Sequence, residues 1–142
     1  MNSIIFVDEE LLKKFEKFEF LKDYLKEKTK EIKDFNKTKN IDTNELINGR
    51  RLTNIGTFRA YIISYLRNHP KIHSDMTFLV RHLAPTEHGL PIEIYVFSND
   101  KIWAHYEAIQ ADIFDHVLAV IPEFDLRIFQ NPTGTDFQAF KS

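Results

Sequence analysis

The sequence predicts an α+β fold, a ferredoxin-like βαββαβ two-layer sandwich with a long amphipathic helix inserted near its N-terminus. Three observations point there. Met76, Phe78 and Val80 alternate with Thr77, Leu79 and Arg81, and Ile92, Ile94 and Val96 alternate with Glu93, Tyr95 and Phe97, the period-two pattern of half-buried strands. Apolar residues recur at steps of three or four across 57–68 and 102–120, the pattern of helices packed on one face. Two short apolar runs, "SIIFV" (3–7) and "LRIF" (126–129), bracket this set and read as the first and last strands.

In chain order, Asp8 follows the first strand as a helix cap, with Glu9 and Glu10 placed against the positive end of the helix. Leu11, Phe18, Leu25 and Ile32 then repeat every seventh position while Phe15, Leu21 and Phe35 widen the stripe. One continuous helix of about 40 Å follows from a rise of 1.5 Å per residue. Lys22 and Thr29 spoil the second seam, so the stripe is expected to pack on its own chain or a neighbouring subunit rather than form a free coiled coil. Residues 36–56 lose the periodicity and read as a loop. Phe58, Tyr61, Ile62, Tyr65 and Leu66 form one face of a second helix, ended by Pro70. A Pro/Gly turn containing Gly89 joins the two alternating runs into a hairpin. Ser98, Asn99 and Asp100 cap a third helix, marked by Ile102, Tyr106, Ile109, Ile113, Val117 and Val120 and closed by Pro122. The expected organisation is one domain over 1–142: a helical insertion at 8–56, a core at 57–130 and a loose tail at 131–142.

At 142 residues, a single domain buries about 68–70% of its unfolded surface. Thirteen Phe and 43% hydrophobic residues supply the core. Nineteen Lys and Arg against twenty-one Asp and Glu leave a formal charge of -2, without the positive field that nucleic-acid binding exploits. The absence of cysteine excludes disulfides, thiolate catalysis and Cys-ligated zinc. "MNSIIFVDEELL" has no basic n-region, and its apolar run is far shorter than a membrane span, so the chain as given is expected to be soluble.

Motifs for bond-making chemistry are missing. Gly49, Gly56, Gly89 and Gly134 are too dispersed for a phosphate-binding loop, and no nucleophile elbow occurs. His69 and His73 have the spacing of a helical metal pair, but Pro70 lies between them. Asp112, Asp115 and His116 fall within one helical turn and read as a solvated face. His82 and His88 flank the hairpin turn and His105 lies beside Trp103; these read as surface or strand-end residues. Glu107 with Asp112, and Glu123 with Asp125, are carboxylate pairs with no shaped, desolvated pocket announced around them. Arg50, Arg51 and Arg59 form a basic cluster with two readings, contact with lipid phosphate or, the favoured one, pairing with Asp or Glu at a subunit boundary. Trp103 and the Tyr95/Phe97 pair read as core or interface aromatics. The expectation is a protein that is not an enzyme, with no catalytic, cofactor-binding or metal-binding residues and no small-molecule substrate.

Residues 48–134, through "RRLTNIGTFRAY", "LRNHP", "GLPIEIYVFS" and "YEAIQADIFDH", closely resemble the cytoplasmic C-terminal domain of the small-conductance mechanosensitive channel (MscS-like) family, in its miniconductance, YbdG-type branch. The helix from Asp8 resembles that branch's insertion. The resemblance implies a bacterial inner-membrane channel that opens under tension during osmotic downshock. It also implies a homoheptamer in which domains of this kind wall a cytoplasmic vestibule. The transmembrane helices, pore helix and β-domain have no counterpart in the sequence. The chain is therefore expected to be a fragment with a truncated first strand, supplying scaffold and subunit contacts rather than a pore. No pore or gate residue of the family has a matching position, so none is carried over. The other reading is a small-molecule-binding regulatory domain of the ACT kind, which shares βαββαβ order by fold analogy alone.

Overall fold

A computed structural model describes residues 3–138. Asp8 caps the first helix, α1 (Glu9–Phe15), by accepting the Leu11 N–H at 2.8 Å. The long helix expected from Asp8 is broken. A 3-10 turn at Glu19–Leu21 separates α1 from α2 (Lys22–Thr38). No Gly or Pro marks the break, so packing decides it. An unbroken helix turns about 100° per residue, carrying Leu21 well round the axis from Phe15. The break lets Phe15 and Phe18 meet Phe124 at ring-centroid distances of 5.1 and 5.6 Å while Leu21 is also fully buried. Tertiary burial thus overrides helix propensity. Leu11, Phe15, Leu21 and Leu25 are buried in this chain's own core, whereas Ile32 is half-buried and Phe35 exposed.

Residues 39–53 form turns, as the lost periodicity implies. Asn36 pins them to α2: its Oδ1 accepts the Arg50 N–H at 2.8 Å and its Nδ2 donates to the Arg50 carbonyl at 3.0 Å. Gly49 allows this approach, with φ +71° and the Asn36 amide where a Cβ would stand. Next comes α3 (Asn54–Arg67), whose Thr53 cap accepts the Gly56 N–H at 3.1 Å. It buries Phe58, Tyr61, Ile62 and Leu66, the face expected from the sequence.

The strands are shorter than expected. β2 (Leu79–His82) and β3 (Ile92–Tyr95) pair antiparallel in the register Val80 with Ile94 and His82 with Ile92. Val80, Ile92 and Ile94 face the helices, while Arg81 and Glu93 form an ion pair at 2.8 Å on the outer face. A second two-stranded sheet, β1 (Ile72–His73) with β4 (Phe97–Ser98), braces the start of α4 (Trp103–Val120). There, Asp100 Oδ1 accepts the Ile102 N–H at 3.0 Å. Ile113 and Val117 of α4 are buried, and a 3-10 turn at Ile121–Phe124 ends the layer.

The α+β class holds, but the single sheet of a βαββαβ sandwich is not formed: the described residues hold two separate two-stranded sheets. Residues 3–7 make one isolated bridge, Phe6 with Thr53, and residues 126–129 join no ladder. A strand needs a neighbour to satisfy its backbone, and neither run has one in a sheet. Part of the tail expected to be loose is instead a short helix, α5 (Gly134–Gln138), whose Asp136 accepts the Thr133 N–H at 2.7 Å; the rest, 139–142, lies outside the described residues.

Candidate functional site

The polar residues singled out by spacing are dispersed among local partners. His69 and His73 go separate ways. His69 Nε2 lies 3.3 Å from Asp112 Oδ2 on an open face that also carries Phe20 and Lys71, while His73 pairs with Phe97 in the small sheet. His116, one turn beyond Asp112, has its Nε2 2.7 Å from the Tyr61 hydroxyl and its ring stacked on Tyr65 at 4.1 Å. Burial pushes the Tyr61 hydroxyl's pKa up, and burial with the nearby Asp112 charge does the same for Tyr65. Both phenols therefore stay protonated, and the Tyr61–His116 bond acts as a strut between α3 and α4.

The other candidates are also spent locally. Glu123 pairs with Lys14 at 3.1 Å, and Asp125 occupies a left-handed turn at φ 55°. Arg50 pairs with Glu31 at 2.6 Å; that contact, then the bond from Lys28, holds the Glu31 carboxyl below its ordinary value. Arg51 donates to the carbonyls of Thr43, Glu45 and Leu46, and Arg59 donates to the Val80 carbonyl at 3.0 Å. His105 Nδ1 lies 2.7 Å from Asp100, whose carboxyl is held low by the Ile102 N–H and then by His105. Among the described residues, no three His, Cys, Asp or Glu side chains gather to hold a metal.

His82 is different: its side chain stays exposed, but partial desolvation, then the Arg59 charge, lowers its pKa from 6.5. A histidine whose folded pKa is depressed binds fewer protons folded than unfolded, so its contribution is full above 6.5 and falls away as the pH drops toward the lowered value. Urea titrations from pH 7.5 to 5 should show stability declining on acidification, with a smaller decline in His82→Gln.

What remains uncommitted is apolar surface. The stripe of α4 outruns its core contact: Ile102 and Trp103 are 57% and 73% exposed, and Trp103 stacks on a partly exposed Tyr106 at 5.7 Å. Tyr95, packed edge-on against Phe97 at 5.6 Å, is 49% exposed. Sequence reasoning missed one residue that organises the region: Asn54, fully buried, links the N-terminal run, α3 and the turn after α4. Its only signal was a polar side chain directly after the Thr53 cap.

No helix among the described residues is long and apolar enough to cross a membrane. No solved structure matches the chain. The family described as "Mechanosensitive ion channel MscS, C-terminal" matches residues 53–128, from the cap of α3 through α4 and into the extended run that follows. That match covers more than half of the 142 residues, and the chain belongs to the MscS C-terminal domain family of mechanosensitive ion channels.

Proposed function

We propose that this domain is part of the cytoplasmic vestibule wall of a channel that opens under membrane tension during osmotic downshock, supplying shape and subunit contacts rather than a pore or a reaction. The family match over 53–128 carries the reading. The local pairing of the ionisable candidates and the exposed apolar side chains Ile102, Trp103 and Tyr95 support it. On this reading the complete protein sits in a cell inner membrane as a homoheptamer of the miniconductance branch, and residues 8–56 are that branch's insertion on a core at 57–130.

The subunit contact is assigned to the start of α4. Trp103 and Ile102 are among the most exposed large apolar side chains of the chain, and buried aromatics dominate interface energetics. Sedimentation velocity at rising protein concentration should show reversible self-association. Trp103→Asp should weaken it at least tenfold without lowering thermal stability, because Trp103 is largely outside the core. A chain that stays monomeric at high concentration, or a variant that associates as well as the parent, would remove this assignment.

A further inference from the structure

A pocket of about 480 Å³ opens between the C-terminal half of α2 and the turns that follow it. Every residue lining it precedes Thr53, so it lies wholly outside the region that the family matches. Its floor is apolar, built by the half-buried side chains of Val7, Leu12, Ile32 and Leu52. Its rim is cationic: Lys33, Lys37, Arg50 and Arg51 line it, and no carboxylate does.

The two arginines are held in place by the chain itself. Asn36 clamps the Arg50 backbone to α2 through both of its amide atoms. The Arg50 guanidinium is fixed by Glu31 at 2.6 Å, and its Cζ lies 5.4 Å from the Phe35 ring centroid. The Arg51 guanidinium is fixed by neutral groups instead. Its Nε donates to the Leu46 carbonyl at 3.0 Å and its Nη2 to the carbonyls of Thr43 and Glu45, while its Nη1 makes no hydrogen bond among the described residues. Arg51, Lys33 and Lys37 have no ion-pair partner among the described residues. A half-buried guanidinium surrounded by carbonyls is a positive charge without its counter-charge. The neighbouring carboxylates are engaged elsewhere: Glu31 is shared by Arg50 and Lys28, Asp42 accepts the Asn44 N–H, and Asp34 borders a separate groove of α2. The negative end of the α2 dipole is blunted too, because the carbonyls of Phe35, Asn36 and Lys37 accept the N–H groups of Lys39, Ile41 and Asn40.

We propose that this pocket binds a small organic phosphate monoester, with its anionic head against Arg51, Lys33 and Lys37 and its apolar body on the floor. The guanidinium fork matches phosphate oxygens, and the volume falls within the roughly 300–1,000 Å³ of small-ligand sites. Three uncompensated cations favour a head that carries close to two negative charges at neutral pH over a carboxylate, which neutralises only one. A free metabolite and a lipid headgroup share this chemistry, and the test separates them.

The test titrates the isotope-labelled chain with phenyl phosphate, read by amide NMR. The Ile32, Arg51 and Leu52 amides should shift together and saturate, with a Kd of about 1 mM or tighter for a ligand of that size. Inorganic phosphate at matched ionic strength should bind about tenfold more weakly, since it leaves the apolar floor uncovered. Lys33→Gln with Lys37→Gln should weaken phenyl phosphate about tenfold, roughly threefold for each exposed charge. Both lysines are exposed, so the ligand-free melting temperature of that variant should stay unchanged. A second arm mixes the chain with phosphatidylcholine vesicles with and without phosphatidate. Sedimentation that requires phosphatidate and is lost in the lysine variant assigns the head to a lipid; its absence, with phenyl phosphate bound, assigns a free metabolite. No saturable shift at several times the expected Kd overturns the proposal. Equal affinity for inorganic phosphate, or binding unchanged in the lysine variant, overturns it as well. None of these outcomes depends on the channel reading.

Discussion

Replacing Asn54 by Ala is expected to lower the unfolding free energy by about 4 kcal/mol, a large share of the roughly 5–15 kcal/mol that holds an ordinary domain folded. The side chain has no exposed surface and uses its full hydrogen-bonding capacity. Its Oδ1 accepts the N–H groups of Ile5 at 3.0 Å and Ile55 at 2.9 Å, and its Nδ2 donates to the carbonyls of Ser3 at 2.9 Å and Phe124 at 3.0 Å. Truncation removes these bonds and strands part of the backbone away from water, at about 1–3 kcal/mol per orphaned group. Asn54→Asp should be no milder, since a buried carboxylate would face two carbonyl oxygens where the amide donated. Urea unfolding reads this directly as a fall in midpoint with the slope unchanged. A loss under 1 kcal/mol for both variants would mean that the three segments do not meet at Asn54.

Phe124→Ala is the second large effect, expected to cost about 3–5 kcal/mol as a cavity opens where a ring stood. Phe124 is 1% exposed and lies at the centre of an aromatic cluster: Phe15 and Phe58 at 5.1 Å, Tyr61 at 5.4 Å and Phe18 at 5.6 Å. Phe15 and Phe18 lie outside the region that the family matches, and Phe58 and Phe124 inside it. The substitution should therefore do more than lower global stability. It should free residues 9–25 from the rest, seen as faster amide exchange across α1 and the following turn at denaturant concentrations where α3 and α4 stay protected. Phe124→Leu, which keeps most of the volume, should cost less than half as much. Equal loss of protection along the whole chain would show that the N-terminal helices and the matched region form one cooperative unit.

The same ring explains why part of this fold could not be read from the sequence. Helices α3 and α4 and the β2–β3 face were legible because each has a clean period and a local stop: Pro70, the Gly89 turn and Pro122. The break between α1 and α2 was not, because Glu16, Lys17 and Phe18 would all continue a helix; the bend exists only because Phe15, Phe18 and Leu21 converge around Phe124. The pairing of Ile72–His73 with Phe97–Ser98 escaped because two residues show no period. "SIIFV" and "LRIF" have strand composition, but composition does not provide the neighbour a strand needs, and the unpaired run at 126–129 marks where the expected sheet is interrupted.

The candidate site was legible in a different sense. Spacing brought Asp112 and His116 to one side of α4, where the structure places them, but not their partners His69 and Tyr61, which come from another element. Trp103 was singled out for its type; its exposure follows from the apolar stripe of α4 continuing past Ile113, the first residue of the helix to be buried. Asn54 carried no chemical motif, and its importance arises only from three chain segments meeting at one amide.

The central claim is that this domain serves a tension-gated channel. Pressure-clamp recording tests it most directly, on membrane patches from cells that lack other tension-gated channels and produce the protein carrying this domain. Suction should evoke discrete, reversible single-channel currents that are lost or altered in the Trp103→Asp variant. Patches that contain the protein yet remain silent up to rupture would contradict the claim.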